Sequence, residues 1–369
     1  MKSKSTASVI AVMTLFVTGI TSVHAAMPAI TGTPVVDSPR LLDWGQDSAR
    51  RAVDLSEPTN NRLQDLHGSV ASCDGIDLIL STAGNYHMAL REMWQDVLLP
   101  RHGAYIKSWY YTTSPPVAVQ QIANKHLSIG NFSLECAPHV AVAPLAAIQT
   151  LQQTPGVTEG AMFPVFKNRG NVILVKKGNP KHIHTVWDLG RPNVSLVTPN
   201  PTGEKSTFEN YSGTIYNIAA SDLNPPGGMT ADRLYNSIFN SSQATDEDDD
   251  RGHKKGDKSK VHAKWYIGAR IHHREVPWSV AYGHADAGIL FYHLALDAVR
   301  KFPDLFEIVP LGGTAEDPLP LPGNRVGAHF GIRIAGTLNA SQSYAREKLV
   351  ETFASPEFTD ILARHGMTR

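Results

Sequence analysis

Three short stretches place small hydroxyl side chains where an apolar run gives way to a helix-like pattern: Ser81-Thr82-Ala83, Thr112-Thr113-Ser114, and Thr198 with Pro201-Thr202-Gly203. A helix start leaves backbone N–H groups without intrahelical partners and carries roughly half a positive charge. Several such ends converging on one point can hold an anion with no lysine or arginine, and hydroxyls add donors. Taken singly, each of these Ser and Thr residues reads better as an N-cap, worth about 1 kcal/mol to its helix. A fourth stretch, His272-His273-Arg274-Glu275-Val276-Pro277, adds ionisable groups. Arg274 can grip an anion with two parallel N–H groups, and His273 can donate to it and tie retention to a pH of about 6 to 7. The competing reading is a structural Arg274–Glu275 arrangement at a surface, or a histidine pair bonded to backbone.

Turns of this kind need a scaffold that gathers them, and the hydrophobic pattern supplies one. Residues 76–80 form an almost continuous apolar run, read as a buried strand. Residues 86–98 follow as a helix with Met88, Leu90, Met93 and Val97 on its faces. The unit repeats as a strand at 106–111, a helix at 115–124 opened by Pro115, and a strand at 127–132. Further strands are expected at 172–175, 194–197, 285–291 and 306–310, with closing helices at 343–353 and 356–365. Alternation of strands and helices predicts a parallel α/β sheet, in which ligands bind beyond the carboxyl ends of the strands. Two segments stand outside this rhythm. Residues 26–74 form an extension with a possible short helix at 43–55, and residues 240–260 form a low-complexity insertion. The insertion joins an acidic block at 246–250 to Lys254, Lys255, Lys258 and Lys260, a charge run that reads as solvated.

The N-terminus carries Lys2 and Lys4, an apolar run over 9–17, and Val23-His24-Ala25. That is the pattern of a signal peptide over 1–25, and it predicts export to the periplasm. The 369-residue chain holds 34 basic and 34 acidic residues, a balance that argues against a nucleic-acid partner. Cys73 and Cys136 could form one disulfide in an oxidising compartment, or remain two thiols. Sixteen histidines keep a metal-binding reading open, with His182, His184, His253 and His262 able to supplement His272 and His273. No His-Glu-x-x-His helix, Gly-x-Ser-x-Gly elbow or Walker loop is present, so neither an enzyme nor a cofactor is expected.

The order of these motifs resembles the periplasmic binding proteins for molybdate, tungstate and related oxyanions, over roughly residues 75–369. Ser81-Thr82-Ala83 looks like that family's first ligand turn and Thr113-Ser114 its second. Lys176-Lys177-Gly178-Asn179-Pro180 followed by Trp187-Asp188-Leu189 is similar to its second-lobe entry, and Pro201-Thr202-Gly203 falls in the third contact turn. The strand at 285–291 resembles a late strand where the family often offers a tyrosine, here Tyr292. The resemblance implies a two-lobed α/β fold of the type II periplasmic-binding-protein kind. Lobe 1 would comprise residues 75–165 and 306–369 and lobe 2 residues 166–305, with a ligand cleft between them. It also implies capture of a small anion by a monomer that serves an ABC-type membrane permease. Molybdate, tungstate, sulfate, phosphate and a small organic carboxylate all remain open as ligands, beside the metal reading.

Overall fold

The computed structural model describes residues 26–37, 73–82, 84–111, 118–129, 132–241, 263–268 and 272–369. In chain order, the first elements are β1 (Val35–Asp37), β2 (Leu78–Ser81), α1 (His87–Met93), β3 (Trp109–Tyr111), α2 (Val119–Ala123), β4 (Leu127–Ile129), β5 (Phe132–Leu134), β6 (Val140–Pro144), α3 (Leu145–Gln153) and β7 (Thr158–Lys167). After them come β8 (Asn171–Lys176), β9 (Leu196–Thr198), α4 (Lys205–Ser221), α5 (Ala231–Phe239), β10 (Trp265–Gly268), α6 (His272–Ala281), β11 (Ala287–Phe291), α7 (Tyr292–Lys301), β12 (Phe306–Val309), β13 (Ala328–Ile334), α8 (Ala340–Ala354) and α9 (Pro356–Arg364).

Apart from the antiparallel β4–β5 hairpin, the strands form one sheet per lobe. Lobe 1 has the order β3-β2-β6-β13-β7 and lobe 2 the order β1-β10-β9-β11-β8-β12. Strands β2, β9 and β11 are buried along their whole length, which explains why they read as unbroken apolar runs without alternation. Each lobe packs its own core. Leu78, Leu80, Val140 and Val142 meet Phe353, Phe358 and Leu362 in lobe 1, while Val172–Val175 and Leu196 meet Ile215 and Ile289 in lobe 2. Cys73 and Cys136 are joined by a disulfide that closes a 63-residue separation within lobe 1.

Two boundaries differ from the sequence reading. Strand β1, expected in a separate extension, is a parallel edge strand of the lobe 2 sheet, paired with β10. Asn240 fastens the chain ahead of it: its side-chain oxygen accepts from the N–H groups of Thr31 and Gly32, and its NH2 donates to the Ala29 carbonyl. Strand β12, expected to open the return to lobe 1, pairs with β8 in lobe 2, so the return follows Val309. The chain thus crosses between lobes at 168–170 and again over 310–327.

The two crossings are bonded to each other. The Asn168 N–H donates to the Gly327 carbonyl, and Asn168 Oδ1 accepts from the N–H groups of Gly170 and Gly327. Asn324 holds Asn171 reciprocally, accepting its N–H at 2.8 Å and donating to its carbonyl at 2.9 Å. Two adjacent crossings bonded to each other are the geometry of a hinge. No helix among the described residues is long and apolar enough to cross a membrane. The segments at 1–25, 43–55 and 246–260 lie outside the described residues.

Candidate functional site

Three chain turns meet between the lobes. The turn Gly84–Tyr86 and the start of α1 come from lobe 1, while the starts of α6 and α7 come from lobe 2. The turn packs against α7, and Met88 of α1 reaches into the lobe 2 core. Helix α6 lies close on its sheet because Gly268 and Gly288 give it room. A Cβ at Gly268 would fall 2.3 Å from Glu275 Oε2, and one at Gly288 would fall 2.3 Å from Val276.

Aromatic rings run through this junction in an unbroken circuit. In lobe 1, Tyr86 and His329 each lie against Phe166, with ring centres 4.3 Å away in both cases. Phe166 meets His293 of α7 at 6.4 Å, and His293 stacks on Phe291 at 5.6 Å. Phe291 meets Tyr211, which meets His272 at 5.7 Å. His272 stands 5.5 Å from His273, and His273 lies 6.1 Å from His87, back in lobe 1. The lobes therefore touch through histidine at two places, His293 and the His273–His87 contact.

Several polar atoms at the junction are shut from solvent without a hydrogen-bond partner: Asn85 Oδ1, His272 Nε2, His273 Nδ1 and the two ring nitrogens of His293. The His293 ring faces the Asn85 backbone carbonyl, but neither nitrogen makes a well-formed bond. Trp109 Nε1, Asn171 Oδ1, Ser212 Oγ and His329 Nδ1 are likewise buried without a partner, and each polar group left open costs about 1 to 3 kcal/mol. Those at the junction lie on neighbouring turns drawn from both lobes. The other side of His272 is satisfied. Glu204, at the N-terminal end of α4, accepts the His272 N–H at 3.0 Å and the Nδ1 at 2.7 Å.

Burial sets the protonation of the histidines that bridge the lobes. His273 is held well below the ordinary imidazole range by burial, with His272, His87, Arg274 and Lys301 adding positive field. Burial pushes His293 down to about 3, against the opposing Asn85 carbonyl, and His329 down to about 4. Tyr86 and Tyr211 are pushed up by burial and stay neutral. Among the described residues, no group of three or more His, Cys, Asp or Glu side chains could hold a metal ion.

With this geometry in view, the likeness to known proteins has a place to act. The sequence profile of the bacterial extracellular solute-binding proteins matches residues 137–368, more than half of the chain. The chain belongs to that family. A further match, 52% identical, joins 40 residues of this solute-binding protein to the sulfate-binding proteins of Salmonella typhimurium and Escherichia coli. It spans 11% of this chain and 12% of those relatives, about an eighth of their length. Among solved structures, the sulfate-binding protein SubI of Mycobacterium tuberculosis superposes with a TM-score of 0.50 at 14% identity, over 79% of this chain and 85% of that one. The periplasmic molybdate-binding protein of Azotobacter vinelandii gives 0.48 at 13% identity, over 79% of this chain and 99% of its own. The SubI likeness bears on fold, and it agrees with the two lobes described above.

The residues singled out by sequence fall in different places in this solute-binding protein. Ser81 ends β2 and is buried, and Thr82 next to it is buried with its hydroxyl bonded to that of Tyr86. Ala83, Thr113 and Ser114 lie outside the described residues. Thr202 and Gly203 are exposed, and their N–H groups already donate to Asn200 Oδ1, while Pro201 is half-buried. His273, Arg274 and Glu275 stand in the first turn of α6, where His273 joins the junction and Glu275 packs on Gly268. Tyr292 is turned away: its hydroxyl donates to the Glu316 carbonyl in the second crossing, and Arg169 lies over its ring. Sequence reasoning did not single out Asn85, His87, Glu204, Tyr211 or His293. The signal for His293 was a lone histidine at the end of the apolar run 287–292, one residue past the tyrosine on which the resemblance settled.

Proposed function

We propose that the interlobe junction is the ligand site, and that this protein captures a small oxyanion there for an ABC-type permease. The reading rests on one observation: buried polar atoms of Asn85, His272, His273 and His293 stand open on three turns drawn from both lobes. The starts of α6 and α7 add positive field, while their first N–H groups, of His272 and Tyr292, are already bonded to Glu204 and to the Gly170 carbonyl. A neutral imidazole donates one N–H, and the Asn85 carboxamide can present its NH2 end by turning over. Such donors suit a deprotonated tetrahedral dianion of the molybdate, tungstate or sulfate kind. The short stretch shared with sulfate-binding proteins supports the same class.

In this reading the lobes open about the Asn168–Gly327 hinge and close on the anion, because only the closed form lets both lobes donate at once. The protein acts in the periplasm as a monomer and performs no covalent chemistry. A thermal-shift screen of the purified protein with molybdate, tungstate, sulfate, phosphate and small carboxylates tests it. Ligand at a hundred times its dissociation constant adds about 2.7 kcal/mol of stability, which a melt resolves. A rise with a tetrahedral oxyanion that disappears in Asn85→Ala and His293→Ala supports the site. A rise with carboxylates alone moves the ligand class, and a rise that both variants retain moves the site.

A further inference from the structure

We infer that Glu204 and His272 form a proton-carrying anion clamp, in which His272 donates from Nε2 to a ligand oxygen while Glu204 holds its Nδ1. The inference rests on the anion reading above and assigns the charge that the site would use. His272 is 3% exposed, yet its two ring nitrogens have opposite surroundings. Nδ1 is bonded to Glu204 Oε1, and Nε2 is buried without a partner. The same carboxylate also takes the His272 backbone N–H, so ring and helix start are positioned by one group.

That arrangement has a chemical consequence. With Nδ1–H committed to Glu204, a neutral His272 can present only a lone pair at Nε2, which repels an anion. A protonated His272 presents Nε2–H, and Glu204 balances the charge it gains. A deprotonated oxyanion entering the junction therefore supplies the reason for His272 to take up a proton. No arginine is needed. The groups that face His272 are consistent with this division of labour. Glu204 and the neutral Tyr211 come from the N-terminal end and body of α4, His273 is next to it on α6 with His87 beyond it from α1, and His293 reaches in from α7. His273 and His293 are held neutral, so His272, with Glu204 bonded to its ring, is the imidazole fitted to carry the proton.

Glu204 is a positioning residue, since it reaches the ligand only through the imidazole. The test is calorimetric titration of the full-length protein with sulfate and with molybdate near pH 8, in buffers of different ionisation enthalpy. Wild type should take up about one proton per anion bound, and its affinity should fall by up to about tenfold per pH unit between pH 7 and 9. His272→Gln should abolish the uptake, flatten that pH dependence and weaken binding at pH 7 by about thirtyfold or more. Glu204→Gln should keep measurable binding but lose more than half of the proton uptake. If His272→Gln does not fold, Glu204→Gln carries the test. Anion binding without proton uptake, or uptake that survives His272→Gln, overturns the clamp and leaves the anion reading standing. Failure of the wild type to bind either anion overturns both.

Discussion

Acidification from above pH 7 to pH 5 should weaken ligand retention by roughly a thousandfold, and the magnitude follows from two side chains. His273 and His293 meet groups of lobe 1, His87 and the Asn85 carbonyl, only when the lobes are together. In the closed form both are held neutral by burial, His273 well below its ordinary range and His293 at about 3. When the lobes part, both rings meet water and return to an ordinary value near 6.5. Both pKa values are depressed in the closed form, so between those values and about 6.5 the open form binds more protons. Closure is then fully favoured above about 6.5 and loses ground as the pH falls below it. At pH 5 each histidine costs closure about 2 kcal/mol, and two cost about 4 kcal/mol, which is about a thousandfold in affinity. The assay is the dissociation constant of the bound oxyanion measured at half-unit steps from pH 7 to 5. Circular dichroism at each step checks that the lobes stay folded. The logarithm of the constant should steepen toward two per pH unit, and His293→Asn should bring the slope toward one. A slope below about half a unit in the wild type, with the fold intact, would refute the coupling of these histidines to closure.

Other outcomes follow from single contacts. Reducing the Cys73–Cys136 bond frees a loop with a 63-residue separation, worth about 4 kcal/mol to lobe 1. Calorimetry with and without reductant should show a fall of roughly ten degrees, and an unchanged melt would contradict it. Asn168→Ala removes the acceptor for two N–H groups at the hinge and should cost about 2 to 3 kcal/mol, read by urea unfolding. Lys264 donates to the Leu189, Arg191 and Val194 carbonyls from one buried ammonium. Lys264→Met should lower stability by about 2 to 4 kcal/mol in the same assay, while a smaller loss would mean that water replaces those bonds.

The scaffold was more legible than the site, for a physical reason. Strands β2, β8 and β11 are buried on both faces, and continuous burial writes itself as continuous apolar sequence. Strand β7 is exposed along much of its length and leaves no such run, so no strand was read there, although the residues were placed in lobe 1. Strand β12 was found as a strand but put in the wrong lobe, because residues 306–309 do not encode whether they pair with β8 or return to the first sheet. The site was harder still. Ser81 and Thr82 were marked by their position at the end of a strand, and both are buried near the junction. The ring circuit from Tyr86 to His293 joins residues more than two hundred positions apart, and no local spacing announces it. His272 and His273 stood out as a pair, but only the contact with Glu204 separates their roles.

Those separate roles make opposite demands on protons, and the opposition sets where the protein should work best. His273 and His293 must shed protons for the lobes to close, which penalises binding on the acid side. In the proposed clamp His272 must gain one as the anion arrives, which penalises binding on the alkaline side. Affinity plotted against pH should therefore be a bell whose limbs belong to different residues. The acid limb approaches a slope of two and the alkaline limb a slope of one, because two histidines oppose one. His293→Asn should relax the acid limb alone and His272→Gln the alkaline limb alone, since the two act on different equilibria. A variant that moved both limbs together would mean that closure and ligand charge are a single titration, and the division between a closing pair and a clamping residue would have to be given up.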